Sequence, residues 1–340
     1  DHSQYASANT LLVIDKNTNF KKKYLKIAIN NKISAILTNK ELKLKKIPQF
    51  IVDDLSSAKE YLLKQIYKNL PYKTIAITGT NGKTSVAWYI STIFNQIGIN
   101  NHYVGTLGYY KNGRKIKDLN LTTPAYEELY KYGSSTKKSK YFYVFEASSH
   151  ALDQNRINNF PINIAALTNI SNDHLDYHKT LSKYKKAKMN LFSNHLSEDG
   201  VAIINSRIKN ISTIKKNLKN KKIKTILFGN SDIYFKKKSK YYELKILKKN
   251  YKINQLKLTT PIELENLECA ISCCLSAGIK VNSIIKVLDK ISNPPGRLQK
   301  LYYKKKDSTI IIDYAHTPDA LKKILISEKK ENRKPVILFG

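Results

Sequence analysis

Short apolar runs and longer stretches of helical period alternate along most of this chain. Residues 74–78, 141–146, 162–168, 201–205 and 225–228 are mostly apolar, as strands covered on both faces are, and 86–97 carries a helical period. Such alternation predicts βαβ units around a mainly parallel sheet, an α/β fold. Ahead of it, residues 1–70 form a small mixed segment. It has an apolar run at 11–14, helices over 24–30 and 55–70, and strands at 33–38 and 50–52, and Pro71 closes it. Residues 235–258 alternate apolar and polar positions and are rich in Lys, which predicts antiparallel strands at a sheet edge. A helix over 263–277 ends at Gly278, and Asn293-Pro294-Pro295-Gly296 cannot continue a helix, so a second boundary falls there. Strands at 309–313 and 336–339 then flank a helix over 320–327, a βαβ unit that stops on its second strand. The expected domains are 1–70, 71–298 and the beginning of a third over 299–340.

Composition narrows the class. With 340 residues, 41% of them hydrophobic, the chain can build a sizeable core. No apolar run nears the ~20 residues of a membrane span, and no cationic start leads into a signal-type apolar stretch. Cys269, Cys273 and Cys274 fall close together without a C-x-x-C pair, which suits small core residues in a reducing compartment, the cytoplasm. The charge is unusual, at 60 Lys+Arg against 26 Asp+Glu, net +34. Only five cations are Arg, the residue best fitted to bidentate phosphate and base-edge contact. The lysines run from end to end with much Ile, Asn and Tyr, as a biased composition spread over solvated faces would place them. Neither a nucleic-acid nor a membrane partner is expected.

The strongest local signal is Thr78-Gly79-Thr80-Asn81-Gly82-Lys83-Thr84-Ser85, between a strand and an apolar helix. Glycines let backbone N–H groups approach phosphate oxygens at a helix N-terminus. Lys83 would then reach the β/γ-phosphates and the Thr84 hydroxyl a Mg²⁺ ion. The spacing is two residues shorter than the usual Walker form. Glu146-Ala147-Ser148-Ser149-His150 follows a buried strand and puts a carboxylate at the sheet edge where ligands bind in such folds. Asp173-His174-Leu175-Asp176-Tyr177-His178 follows the next strand.

These strings resemble the Mur ligases of peptidoglycan synthesis, whose landmarks they repeat in order. Besides those named, they include Gly105-Thr106-Leu107-Gly108, Thr122-Thr123-Pro124, Gln154-Asn155-Arg156, Thr168-Asn169, Pro295-Gly296-Arg297 and Asp313-Tyr314-Ala315-His316. The resemblance implies a three-domain architecture: a small N-terminal UDP-binding α/β domain, a central P-loop domain and a truncated Rossmann-like C-terminal domain. It implies an enzyme that activates a carboxylate with ATP as an acyl phosphate, which an amine then attacks. The carboxylate would be that of D-Glu in UDP-MurNAc-L-Ala-D-Glu, and the amine meso-diaminopimelate or L-lysine. Another Mur-type ligase, folylpolyglutamate synthetase and, more remotely, a basic nucleic-acid-binding protein are the alternatives.

The resemblance also implies roles for residues. Lys83, Glu146, His174 and Lys188 would be catalytic. Gly79, Thr80, Asn81, Gly82, Lys83, Thr84, Ser85, Asn266 and Asp313 would bind ATP, with His316 in the hinge motif beside it. Thr84, Glu146, His174 and Lys188, the last as a carbamate, would hold Mg²⁺. Ser3, Thr122, Thr123, Ser148, Gln154 and Arg156 would bind the UDP-sugar peptide. The chain departs from the family at Ile262-Glu263, where Phe-Asn precedes the adenine asparagine, and at His2-Ser3-Gln4, where Asp-Ser-Arg seats the uridine. The Asp-Asn-Pro-Arg string that selects the amine is absent from the 340 residues, so the expectation is a monomeric, C-terminally incomplete ligase.

Overall fold

The computed structural model describes residues 6–16, 22–44, 46–135, 139–157, 160–171, 173, 175–304, 308–315, 317–328 and 336–338. They fall in two units, Asp1–Lys68 and Asn69–Gly340. The first contains β1 (Leu11–Ile14), α1 (Lys22–Asn30), β2 (Ala35–Thr38), β3 (Gln49–Ile51) and α2 (Leu55–Ile66). Its three strands are parallel in the order β1-β2-β3, over a core of Ile14, Ala28, Ile33, Ile36 and Leu42. Asp54 caps α2 by accepting from the Ser57 N–H at 3.0 Å. The helix expected to reach residue 70 stops at Ile66, because Tyr67 turns out of helical geometry at φ −108° and ψ 67°.

The second unit opens with β4 (Lys73–Thr78), α3 (Lys83–Gln96), β5 (Asn101–Gly105), β6 (Gly108–Lys111), β7 (Arg114–Lys117) and α4 (Tyr126–Gly133). It continues through β8 (Phe142–Glu146), α5 (Ser149–Asp153), β9 (Ile162–Leu167), α6 (Leu175–His178) and α7 (Leu181–Asn190). One π-helical turn (Leu191–His195) leads into β10 (Leu196–Asn205), α8 (Ile211–Asn220), β11 (Lys224–Phe228), β12 (Ile233–Lys237), β13 (Tyr242–Ile246) and β14 (Lys249–Ile253). After α9 (Pro261–Ser276) and α10 (Val281–Ile285) come β15 (Gln299–Tyr303), β16 (Ser308–Ile312) and α11 (Pro318–Glu328).

Eleven strands form one sheet in the order β14-β13-β12-β11-β10-β9-β4-β8-β5-β6-β7. The strands from β11 to β5 in that order pair in parallel, and antiparallel ribbons finish both edges. Every residue of β4 after Lys73 is buried, which explains its unbroken apolar run. α3 and α9 pack on the sheet and on each other around Ile75, Val86, Ile90, Leu267 and Ala270. The chain moves from β4 to β8 on one side and then to β9 on the other. The ends of these three strands therefore flank the crevice where doubly wound sheets bind ligands.

Two expectations change. The strand at 309–313 is β16, and it pairs antiparallel with β15 rather than entering a βαβ unit. Residues 336–338 form no strand. Val336 and Leu338 are 89% and 94% exposed, and among the described residues no strand pairs with them to satisfy a strand's backbone groups. Phe339, the fourth residue of that expected strand, lies outside the described residues.

Candidate active site

Four residues turn the chain from β4 into α3. Gly79 (φ 147°) and Gly82 (φ 86°) take backbone conformations that side chains rarely adopt, and neither has room for one. A Cβ would lie 1.9 Å from Thr168 Oγ1 at Gly79 and 2.4 Å from Asn266 Oδ1 at Gly82. The end of β9 pins the loop: the Asn81 N–H donates to Asn169 Oδ1 at 2.9 Å, and Asn81 O accepts from Asn169 Nδ2 at 2.9 Å and Thr168 Oγ1 at 2.6 Å. Gly82 gives α3 no side-chain cap, so the helix presents its first N–H groups to whatever anion occupies the loop.

Two lysines converge on this turn. Lys83 Nζ donates to Gly79 O at 2.9 Å and Thr80 O at 2.8 Å, and Lys188 Nζ donates to Gly79 O at 2.7 Å. Burial lowers the Lys83 pKa, opposed by the charge of Glu146. Lys188, 1% exposed, sits over the Tyr184 ring at 4.3 Å. Burial, reinforced by the Lys83 charge, holds its amine well below the lysine range. Tyr184 in turn donates to Thr80 Oγ1 at 3.1 Å.

Glu146, fully buried at the end of β8, accepts from Thr84 Oγ1 at 2.9 Å, Tyr103 Oη at 2.9 Å and the Thr106 N–H at 2.8 Å. Gly105 makes this possible, since a Cβ there would meet Glu146 Oε1 at 2.1 Å. Burial, then the Glu146 charge, raises the Tyr103 pKa far enough to keep its hydroxyl a donor. A hydroxyl and a carboxylate oxygen thus meet beside the phosphate loop.

That pair opens into a cavity of about 610 Å³. Thr80, Asn81, Gly82, Lys83, Thr84 and Ser85 line it, together with Thr122, Ser148, Gln154 and Arg156. Thr123 is fully buried beside Ser148, donating to Glu146 O at 2.7 Å and accepting from the Ser148 N–H at 2.9 Å. Arg156 donates to Thr123 O. A second cavity of about 480 Å³ has Asn81, Gly82, Ser85, Asn266 and Asp313 among apolar neighbours such as Pro261, Ile262 and Ile324. Glu263 serves the fold, its Oε2 accepting from the Thr259 and Thr260 N–H groups at 2.8 Å in the α9 capping box. Asp313 accepts from the Leu298 N–H at 2.8 Å, and Arg297 lines both cavities with its guanidinium over the Tyr314 ring at 4.6 Å.

The structure therefore brings the loop residues, Glu146, Thr122, Ser148, Gln154 and Arg156 around one cavity, with Asn266 and Asp313 on the next. Ser3, His174 and His316 lie outside the described residues. Tyr103, Thr106, Asn169, Tyr184 and Arg297 join the site without having been given a role from the sequence. All but Tyr103 and Tyr184 fall in strings already noted, and the Gly before Thr106 was the available sign of a close approach.

A phosphate loop at the switch point of a parallel sheet, backed by a buried carboxylate and opening on two cavities, defines a nucleotide-handling α/β protein. Residues 77–274 match the Mur ligase middle domain, and the chain belongs to the Mur ligase family. UDP-N-acetylmuramoyl-L-alanyl-D-glutamate–2,6-diaminopimelate ligase of Rickettsia bellii is 35% identical over 303 residues, 85% of this chain and 63% of its own length. That of Rickettsia conorii is 32% identical over 93% of this chain and 68% of its own. A solved structure of a ligase with the same name superposes with a TM-score of 0.75 at 26% identity, covering 96% of this chain and 68% of that one. The chain thus spans about two thirds of the length of these relatives. No helix among the described residues is long and apolar enough to cross a membrane.

Proposed function

We propose that this chain is the nucleotide-binding and carboxylate-activating part of an ATP-dependent ligase that extends UDP-MurNAc-L-Ala-D-Glu at its D-Glu carboxylate. The carrying observation is that Lys83, Thr84 and Glu146 line the same cavity as Ser148, Gln154 and Arg156. Phosphates and a carboxylate-bearing substrate can meet there. The names of the relatives support this substrate, and favour 2,6-diaminopimelate over lysine as the amine. The apolar cavity beside Asn266 suits the adenine ring, and Asp313 the neighbouring ribose. The site would work on small molecules, in a cytoplasmic monomer. Three free, buried cysteines accord with a reducing compartment.

In this reading the loop amides and Lys83 hold the β- and γ-phosphates and orient the γ-phosphorus toward the acceptor carboxylate. Barrier lowering comes from alignment and from cations fixed before the charge develops. Arg156 and Gln154 orient the peptide end of the substrate, and Thr123 holds Arg156 and Ser148 in place. Thr84 Oγ1 and Glu146 Oε2 are hard oxygens 2.9 Å apart, a donor set that fits Mg²⁺, which accepts few protein ligands and keeps phosphate oxygens and water. His174 belongs to the same proposed set. Bound there, the ion would neutralise phosphate charge. Burial lowers the pKa of the Lys188 amine, which favours the neutral form that adds carbon dioxide, and the charge of Lys83 beside it would compensate a carbamate anion.

Isothermal titration with UDP-MurNAc-L-Ala-D-Glu, with and without Mg²⁺ and a non-hydrolysable ATP analogue, tests the assignment. Saturable binding of both ligands is expected. A flat trace beside clear folate binding would move the chain to folylpolyglutamate synthesis. Lys83→Ala should lower substrate-dependent phosphate release by about a hundredfold or more, and wild-type turnover in that variant would remove the loop from the mechanism.

A further inference from the structure

The cations of this chain are not evenly placed. Residues 207–257 hold 17 of the 60 Lys and Arg but only two of the 26 acids, Asp232 and Glu243. That segment runs from the end of β10 through α8 to the edge ribbon β12-β13-β14. Phe235, Leu244 and Ile246 point one face of the ribbon into the main core. Strand alternation and the pairings Tyr234↔Lys245, Lys236↔Glu243 and Glu243↔Lys252 put Tyr234, Lys236, Lys245 and Lys252 on the other face, around a single acid, Glu243.

The turn from β13 to β14 adds an apolar point to this basic ground. Leu247 is 60% exposed and lies in the left-handed region at φ 53°, costly for a residue with a Cβ. Its N–H donates to Asp232 O at 2.6 Å, which fixes the turn, and exposed Lys248 and Lys249 follow it. A lone leucine raised among lysines suits the boundary of a lipid layer, where apolar insertion adds to charge attraction. The tyrosines do not suit base stacking. The ring of Tyr234 lies under Lys236 at 5.6 Å and Lys245 at 5.4 Å, and that of Tyr241 under Lys252 at 5.1 Å.

We propose that the outer face of β12-β13-β14, with Leu247 at its tip, docks this protein on an anionic lipid membrane surface. This departs from the expectation of no membrane partner; the docking is peripheral and reversible. Each lysine brought to such a surface contributes roughly fivefold in affinity, lost as salt screens it.

Sedimentation with vesicles of equal parts phosphatidylcholine and phosphatidylglycerol tests it on the full chain. Binding at low salt, its loss at high salt and its absence with phosphatidylcholine alone are expected. Lys245→Glu with Lys248→Glu and Lys252→Glu should weaken it about a hundredfold, and Leu247→Ser about tenfold, with circular dichroism unchanged. Equal binding to neutral vesicles, or unaltered binding by both variants, overturns the proposal. So does tighter capture by polyuridylate that Leu247→Ser leaves untouched, which would assign the face to nucleic acid.

Discussion

A methyl group at Gly82 would meet Asn266 Oδ1 at 2.4 Å, on a backbone already at φ 86°. Gly82→Ala must displace either the loop or the Asn266 side chain that shares a cavity wall with it, and a weakening of ATP-analogue binding by about tenfold or more is expected by titration. Affinity within a factor of two of wild type would show that the loop tolerates the shift. Lys188 makes a separate case. Lys188→Ala removes a donor to Gly79 O and any carbamate, so acyl-phosphate formation, trapped with hydroxylamine, should fall by about a hundredfold. Short carboxylic acids that refill the space should restore part of it, and an absence of rescue would leave only the structural role of the amine. Single residues were legible in the sequence where chemistry and a strand end coincide, as at Lys83 and Glu146, whereas Arg156 was expected only from the family resemblance. Tyr103 was not legible, because its contact with Glu146 crosses between strands 43 positions apart.

At the scale of elements, the parallel strands announced themselves as apolar runs, whereas β5 did not. It reads Asn-His-Tyr-Val-Gly, yet all five residues are buried. Its polar groups are satisfied inside: Asn101 Oδ1 accepts from Ser91 Oγ at 2.6 Å, Asn101 Nδ2 donates to Asn95 Oδ1 at 2.7 Å, and His102 Nδ1 lies 2.8 Å from Tyr132 O. Internal pairing of this kind leaves no trace in a hydrophobic period. Glu268 is a related case on α9, where its Oε1 accepts from the Phe235 N–H of β12 at 2.7 Å. Burial pushes its carboxyl up to about 8 from an ordinary 4.5, opposed by that hydrogen bond and by Arg207. Between those values the folded chain keeps a proton that the unfolded chain has released. The contribution of Glu268 is therefore full below pH 4.5, declines as pH rises toward 8 and is level above it. Glu268→Gln should remove this slope, gaining on wild type by on the order of 5 kcal/mol between acid and pH 8 in urea unfolding. A difference between the two that does not change with pH would refute the buried acid.

At the scale of the whole molecule, the two cavities described above belong to the larger unit. Every described residue lining the two cavities falls between Thr80 and Ser327, within Asn69–Gly340, while Asp1–Lys68 has its own three-stranded sheet and core. A ligand that binds only folded protein stabilises the unit that binds it, by about 2.7 kcal/mol at a hundred times its dissociation constant. Calorimetry with Mg²⁺ and a non-hydrolysable ATP analogue should therefore raise the unfolding temperature of the larger unit by several degrees. The transition of the smaller unit should stay in place, and Lys83→Ala should cancel the shift. A nucleotide-induced rise in the smaller unit's own transition would mean that Asp1–Lys68 contributes to the nucleotide site, against a cavity built entirely from the ends of β4, β8 and β9 and the elements that follow them.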